Sequence, residues 1–127
     1  MNSPRIVLVV EDQPLIRFNA LNLVIEAGFQ GLEAVNADEA IQILKAQPHI
    51  SLVFTDIEMP GTMDGLTLAN YIYARWPKMH LIIASGKVIV EQNQLPVGAK
   101  FFVKPYDDDR IVEEMKRMVT GPRDPSL

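Results

Sequence analysis

Five polar side chains that could take part in chemistry stand directly after short apolar runs. Glu11 and Asp12 follow IVLVV, Asp56 follows LVFT, Ser85 follows LIIA and Lys104 follows FFV. Three of these side chains are carboxylates, one is a hydroxyl and one is an amine. Carboxylates that lie a few ångströms apart repel one another unless a cation neutralises them. If the fold brings the five side chains together, we therefore expect a cation site.

Mg²⁺ is the cation that this set of donors favours. The chain has no Cys, and its two His residues, His49 and His80, have no ligand spacing, so the available ligands are oxygens. Mg²⁺ takes one or two carboxylates and keeps several waters for a phosphate-bearing partner. Lys104 offers a mobile positive charge and Ser85 a hydroxyl, both of which suit a transferring phosphoryl group. Asp56 is then predicted to be a carboxylate nucleophile that accepts this group.

The elements that must position these residues alternate between strand and helix. Unbroken aliphatic runs are typical of strands buried on both faces of a parallel sheet, and helical periodicity fills the stretches between them. The predicted strands are 6–10, 31–35, 52–54, 81–84 and 101–103; the predicted helices are 14–27, 37–47, 66–76 and 107–119. This alternation predicts an α/β fold with a doubly wound, five-stranded parallel sheet. Parallel strands deliver their carboxyl ends to one edge, so the polar residues should meet there.

One segment breaks the alternation. Between the fourth and fifth strands the chain reads KVIVEQNQLPVGAK, with β-branched residues first and Pro96 and Gly98 near the end. β-branched residues, proline and glycine all disfavour a helix interior. We therefore expect the fourth helix to be short or irregular.

The composition is that of one domain. The chain has 127 residues, 48% of them hydrophobic, and we expect a domain over 1–120 and a flexible C-terminal tail over 121–127. The net charge of −4 and the scattered basic residues argue against nucleic acid binding. No apolar run approaches the ~18 residues of a membrane span. We expect a soluble cytoplasmic protein with no nucleic acid or membrane partner.

Four motifs in this order resemble the response-regulator receiver domain family over essentially the whole chain. They are VVEDQPLIR, FTDIEMPGTMDG, IIASG and GAKFFVKPY, and each contains one of the predicted strand ends. The chain looks like a stand-alone, chemotaxis-regulator-like member. The resemblance implies a flavodoxin-like fold, with the strands in the order 2-1-3-4-5.

The resemblance also implies a role for each acidic residue of the site. Asp56 would be the phosphoacceptor. Asp12 and Asp56 would bind Mg²⁺ directly, the backbone carbonyl of Glu58 would be a further ligand, and Glu11 would act through metal-bound water.

Four residues would form the switch of such a domain. Ser85 and Lys104 would bind the phosphoryl oxygens, and the Lys104-Pro105 peptide would be cis, a state that proline tolerates. Phe101 stands at the aromatic switch position, where a tyrosine or histidine is common in the family. The loop after the acceptor carries one residue more than the commonest spacing. The short stretch from Ser85 to Lys104 resembles a subgroup with a degraded fourth helix.

Simpler interpretations exist for several of these residues. Asp12 could cap the helix that begins at Pro14, with Gln13 as the alternative cap. Glu11 could be a solvated strand end. Glu58 and Lys87 could pair as a surface salt bridge of little energetic value.

The function that we expect is that of a phosphoacceptor signalling protein and not of an enzyme. It would accept a phosphoryl group from a sensor histidine kinase or a phosphotransfer protein, hydrolyse it slowly, and signal to a downstream protein partner. A Mg²⁺-dependent phosphatase of the haloacid-dehalogenase type also uses an aspartyl nucleophile, but it would want Asp at position 58, where this chain has Glu58. A phosphorylation-independent interaction module with the same fold is a second alternative.

Overall fold

The computed structural model describes residues 5–59, 61 and 63–120. The tail predicted for 121–127 lies outside these residues. The strands are β1 (Ile6–Val10), β2 (Gln30–Ala34), β3 (Leu52–Asp56), β4 (His80–Ser85) and β5 (Lys100–Val103). The helices are α1 (Pro14–Glu26), α2 (Ala37–Ala46), α3 (Gly65–Arg75) and α4 (Asp108–Thr120).

All five strands are parallel and lie in the order β2-β1-β3-β4-β5. The predicted sheet and its strand order are therefore confirmed. β1 and β3 are central and buried at every position, whereas the edge strands β2 and β5 are only partly buried. This difference explains the continuous aliphatic run in the first strand and the mixed sequences at the edges.

The core lies on both faces of the sheet. Side chains alternate along each strand, so Leu8 packs with α2 and α3 on one face while Val7 packs with α1 and α4 on the other. Within β3, Val53 and Phe54 divide between the faces in the same way. The helices thus hold the strand ends at a common level.

Two strand ends differ from the prediction. β3 continues through Asp56, which pairs with Ala84, and β4 continues through Ser85, which pairs with Val103. The sequence placed these polar residues after the strands because their side chains interrupt the apolar runs. Backbone pairing depends on the neighbouring strands rather than on side-chain polarity, so the ladder of β3 continues through Asp56. Smaller shifts of one or two residues occur at the ends of other elements.

The segment between β4 and β5 contains one 3₁₀ turn, Gln92–Gln94, and no α-helix among its residues 86–99, all of which are described. The expectation of a short or irregular fourth helix is confirmed. Three apolar side chains of the segment are buried in the part of the core that lies between the sheet and helices α2 and α3; they are Val90, Leu95 and Ala99. The segment therefore covers this side of the sheet without a helix. Its backbone is held by local turns, by these three apolar contacts and by hydrogen bonds from the Lys87 and Val88 N–H groups to the Ser85 hydroxyl.

Two glycines have conformational roles in the fold. Gly28 follows α1 with a φ of +93°, which matches the expected helix C-terminus. Gly65 begins α3 against the end of β3, and its N–H donates to the Ile57 carbonyl at 2.9 Å.

None of the helices among the described residues combines the length and the hydrophobicity that a membrane span requires.

Candidate functional site

Three carboxylates meet at the carboxyl edge of the sheet. Glu11 and Asp12 come from the loop between β1 and α1, and Asp56 is the last residue of β3. One oxygen of each carboxylate lies within 4.8 Å of one oxygen of the others. The Lys104 ammonium lies 3.0 Å from Asp56 Oδ1 and 3.3 Å from Glu11 Oε1. The fold therefore brings together four of the five residues from which the sequence predicted a site.

Asp56 has the least favourable environment of these groups. Its exposed fraction is only 7%, and no described donor meets hydrogen-bond geometry at its buried Oδ1, although Lys104 forms an ion pair there. Burial raises the pKa of the Asp56 carboxyl, and the neighbouring Lys104 offsets this only in part. A buried, underbonded carboxylate is an energetic cost that a bound cation would relieve.

Glu11 is equally buried, with an exposed fraction of 4%. Burial raises the pKa of this carboxyl as well, while the Gln13 backbone N–H, at 3.1 Å from Oε2, lowers it together with Lys104. The interpretation of Glu11 as a solvated strand end is therefore wrong. The residue is enclosed because β1 lies in the middle of the sheet.

Asp12 does not cap α1. The N-cap residue is Gln13, and no side-chain hydrogen bond closes that end of the helix. The carboxylate of Asp12 instead lies beside those of Glu11 and Asp56. Since all three groups offer oxygen, the site fits a hard divalent cation such as Mg²⁺.

Lys104 connects the acids to the fifth strand. Burial lowers the pKa of its amine, but the carboxylates of Asp56 and Glu11 together raise the pKa by more than burial lowers it. The net pKa is therefore raised, and the amine stays charged. Its backbone N–H donates to the Ser85 carbonyl at 2.9 Å, and its peptide bond to Pro105 is cis. The charge is thus anchored where β4 and β5 end.

Ser85 is fully buried, but its hydroxyl contacts groups that the sequence did not predict. It donates to the Glu58 carboxylate and accepts from the backbone N–H groups of Lys87, at 3.2 Å, and Val88, at 2.9 Å. The proposed surface salt bridge between Glu58 and Lys87 is not among the ion pairs of the described residues. Glu58 is occupied by Ser85 instead. Its backbone carbonyl as a metal ligand stays a prediction.

Phe101 lies on β5 and is half-buried against the core face of α2 and α3. Its position is that of the predicted switch aromatic, on an edge strand beside the irregular segment. A phenyl ring has no hydroxyl, so any rotation of this side chain would change packing and not hydrogen bonding.

Two residues that position the site were missed by the sequence analysis. Arg17 donates from Nη1 to the Glu11 carbonyl at 2.9 Å and from Nε to Glu33 Oε1 at 2.7 Å, so it ties the acidic loop to β2. Gly65 packs directly on the backbone of Asp56. The Asp64-Gly65 pair was visible as a helix start, whereas nothing local distinguishes Arg17 from other helix-surface arginines.

Comparison with known proteins agrees with this geometry. Residues 7–116 match the family model of the response regulator receiver domain. The chemotaxis protein CheY of Bacillus subtilis is 30% identical over 115 residues, which cover 87% of this chain and 94% of CheY. The putative NtrX-like response regulator of Rickettsia bellii is 36% identical over 115 residues, which cover 87% of this chain. That match covers 24% of the relative, so this chain spans about a quarter of its length.

Solved structures of the same fold are also similar. The receiver domain of the hybrid histidine kinase CckA has a TM-score of 0.77 and 29% identity, over 90% of this chain and 98% of that chain. The response regulator TrrA of Thermotoga maritima, in complex with Mg²⁺ and BeF, has a TM-score of 0.77 and 26% identity, with the same coverage of 90% and 98%. With its 2-1-3-4-5 sheet and its acids at the carboxyl edge, the chain belongs to the response regulator receiver domain family, as a CheY-like receiver domain.

Proposed function

We propose that this chain accepts a phosphoryl group on Asp56 from the phosphohistidine of a sensor histidine kinase or phosphotransfer protein. The observation that carries the proposal is the buried Asp56 carboxylate, which has one oxygen without a hydrogen bond and a lysine and two further acids around it. A structural aspartate is normally satisfied by donors, so this arrangement favours a reactive role.

The transfer balances without any further reactant. The ionised carboxylate of Asp56 attacks the phosphorus, the new Oδ–P bond forms, and the N–P bond breaks with its electron pair passing to the donor imidazole. Lys104, already 3.0 Å from Asp56 Oδ1, is placed to neutralise charge on the phosphoryl oxygens. Mg²⁺, held by Asp12 and Asp56 with Glu11 beside them, would supply electrostatic stabilisation of the transferring group. Slow hydrolysis would return the free carboxylate and inorganic phosphate.

The surface beside the acceptor is suited to a protein partner. Leu15, Phe18 and Ile25 recur along one face of α1 with exposed fractions of 71%, 60% and 60%. A groove between α1 and the loop after β5 is lined in part by Lys104 and Tyr106. Exposed apolar residues clustered on one helix face are typical of interaction sites. A phosphohistidine domain seated there would lie next to Asp56.

The phosphorylated state would signal by conformational change to a downstream protein. The phosphoryl group carries about −1.5 to −2 charges. Because it replaces the single charge of the ionised Asp56 carboxylate, the site gains about −0.5 to −1. We propose a stand-alone protein, supported by the match to almost the whole of CheY, and a phosphoacceptor that is not otherwise an enzyme. Because the NtrX-like relatives are longer, the proposal of a stand-alone protein is tested by measuring the mass of the protein in its native cells.

Amide NMR with Mg²⁺ and beryllofluoride, or with acetyl phosphate, tests the transfer itself. We expect Mg²⁺-dependent shifts at Asp56, Ser85 and Lys104 in the wild type and none of them in Asp56→Asn. Asp109→Asn, which removes an equal charge from the exposed start of α4, is the matched control and should respond as the wild type does. A wild type that neither binds Mg²⁺ nor responds to the phosphoryl donors would overturn the proposal and favour the interaction-module alternative.

A further inference from the structure

The hydroxyl of Ser85 has no hydrogen-bonding capacity left. A serine hydroxyl has one O–H donor and two acceptor lone pairs. The donor bonds the Glu58 carboxylate, and the lone pairs accept the backbone N–H groups of Lys87 and Val88. Ser85 is fully buried, so water does not replace any of these partners. Any new acceptor for the hydroxyl must therefore displace Glu58.

A phosphoryl group on Asp56 would be such an acceptor. Its terminal oxygens are strong acceptors, and at neutral pH they offer little donor capacity. Ser85 would have to donate its single O–H to them, and it cannot donate to Glu58 at the same time. Lys87 and Val88 bond the lone pairs of Ser85 and are not in this competition.

We propose that Glu58 is a positioning residue that competes with the phosphoryl group for the Ser85 hydroxyl and so holds the domain in its unphosphorylated form. This inference rests on the proposed function. A hydrogen bond from a hydroxyl to a carboxylate is charge-assisted and stronger than one between neutral groups. Glu58 stands two residues after Asp56 and borders the same cleft as Asp56 and Lys104.

The competition also gives a route from the acceptor to the irregular segment. Lys87 and Val88 begin that segment, and both are bonded to Ser85 Oγ. When the Ser85 hydroxyl turns from Glu58 to the phosphoryl group, its oxygen moves relative to these two N–H groups. The N–H groups of Lys87 and Val88 are then no longer well aligned with the Ser85 oxygen, so the start of the segment has to move with that oxygen.

A double-mutant cycle separates this competition from simple charge repulsion. Glu58→Met keeps the length of the side chain but removes both the carboxylate acceptor and its charge. In Ser85→Ala the hydroxyl is absent, so Glu58→Met then measures the charge effect alone. Glu58→Gln, which removes the charge but keeps an acceptor oxygen, should be intermediate. Ser85→Cys replaces Ser85→Ala in the cycle if the alanine variant does not fold.

The experiment is a beryllofluoride titration at saturating Mg²⁺, followed by NMR. The net loss of a hydrogen bond to a charged group changes an equilibrium constant by about tenfold or more. We expect Glu58→Met to tighten beryllofluoride binding about tenfold with Ser85 present, but less than about threefold in the Ser85→Ala background. Glu113→Met, on the exposed face of α4, is the control and should leave the affinity unchanged.

Two results would overturn the proposal while leaving the proposed function intact. One is an equal effect of Glu58→Met in both backgrounds, which would mean that charge alone acts. The other is no effect in either, with unchanged Lys87 and Val88 amide shifts in the beryllofluoride-free protein. Failure of the wild type itself to bind beryllofluoride is a different outcome, since it removes the phosphoacceptor function and this inference with it.

Discussion

Gly65 lies so close to Asp56 that a Cβ on the glycine would stand 1.9 Å from the Asp56 carbonyl oxygen. The obstruction is backbone, which cannot move aside as a flexible side chain could. The start of α3 is therefore packed against the end of β3, and the main chain of Asp56 is held in place by a residue nine positions later. Only glycine permits this contact.

Gly65→Ala should consequently destabilise the protein by about 3 kcal/mol, because α3 or β3 must shift to admit the methyl group. Urea unfolding measures the free energy. Gly86→Ala is the matched control: its Cβ would lie 3.5 Å from Lys104 Cβ, which is an ordinary contact. Equal stability of the two variants would contradict the argument.

Asp56→Asn should stabilise the metal-free protein at pH 7, where the burial of an ionised carboxylate opposes folding. Burial raises the native pKa of Asp56 above its ordinary value of 3.8. The variant removes a carboxylate whose ionised form the fold disfavours. Urea unfolding in EDTA provides the test, with Asp109→Asn expected to change the free energy by about 0.5 kcal/mol or less. Destabilisation would show instead that the ion pair with Lys104 outweighs the burial.

The same shifts predict the pH dependence of the metal-free wild type. Between the ordinary and the raised pKa of Asp56, the native state binds more protons than the unfolded state. The contribution of this group to the free energy of unfolding therefore falls as pH rises through that window, and Glu11 acts in the same direction from 4.5 upwards. In Asp56→Asn this fall should be smaller. An identical pH profile for the variant and the wild type would argue against a perturbed Asp56.

Mg²⁺ should raise the stability of the wild type by mass action, and Asp12→Asn should weaken Mg²⁺ binding by about tenfold or more. Titration calorimetry is the suitable measurement. Tryptophan fluorescence is not expected to report Mg²⁺ binding, because the single tryptophan, Trp76, lies between α3 and β4, at the edge of the sheet opposite the site. Asp38→Asn, in the first turn of α2, serves as the charge-matched control. An unchanged affinity in Asp12→Asn would remove this residue from the cation site.

Arg17→Gln should lower the affinity for Mg²⁺ about threefold, because the loop that carries Glu11 loses its bond to the arginine. Arg17→Lys should not restore it, since one ammonium cannot span the Glu11 carbonyl and the Glu33 carboxylate as the guanidinium does. Calorimetric titration of both variants, with Arg110→Gln on α4 as the control, decides the matter. Full affinity in the lysine variant would mean that charge alone suffices.

The sequence by itself determined the architecture and the chemical groups of the site. The aliphatic runs predicted a parallel sheet, and the carboxyl ends of parallel strands share one edge by geometry, so Glu11, Asp12, Asp56 and Lys104 were expected to meet there. The loss of a regular fourth helix was equally visible, because β-branched residues, Pro96 and Gly98 act locally. These are effects of periodicity and composition, which a sequence displays directly.

Only the tertiary structure decided how the side chains bond to one another. The Ser85 hydroxyl turns to Glu58, Arg17 reaches across to Glu33, and Gly65 meets the Asp56 backbone; each contact joins residues from different elements. Such contacts depend on strand register, on side-chain rotamers and on the distance between a helix and the sheet. None of these quantities has a local pattern in the sequence, because they are set by the packing of the whole core.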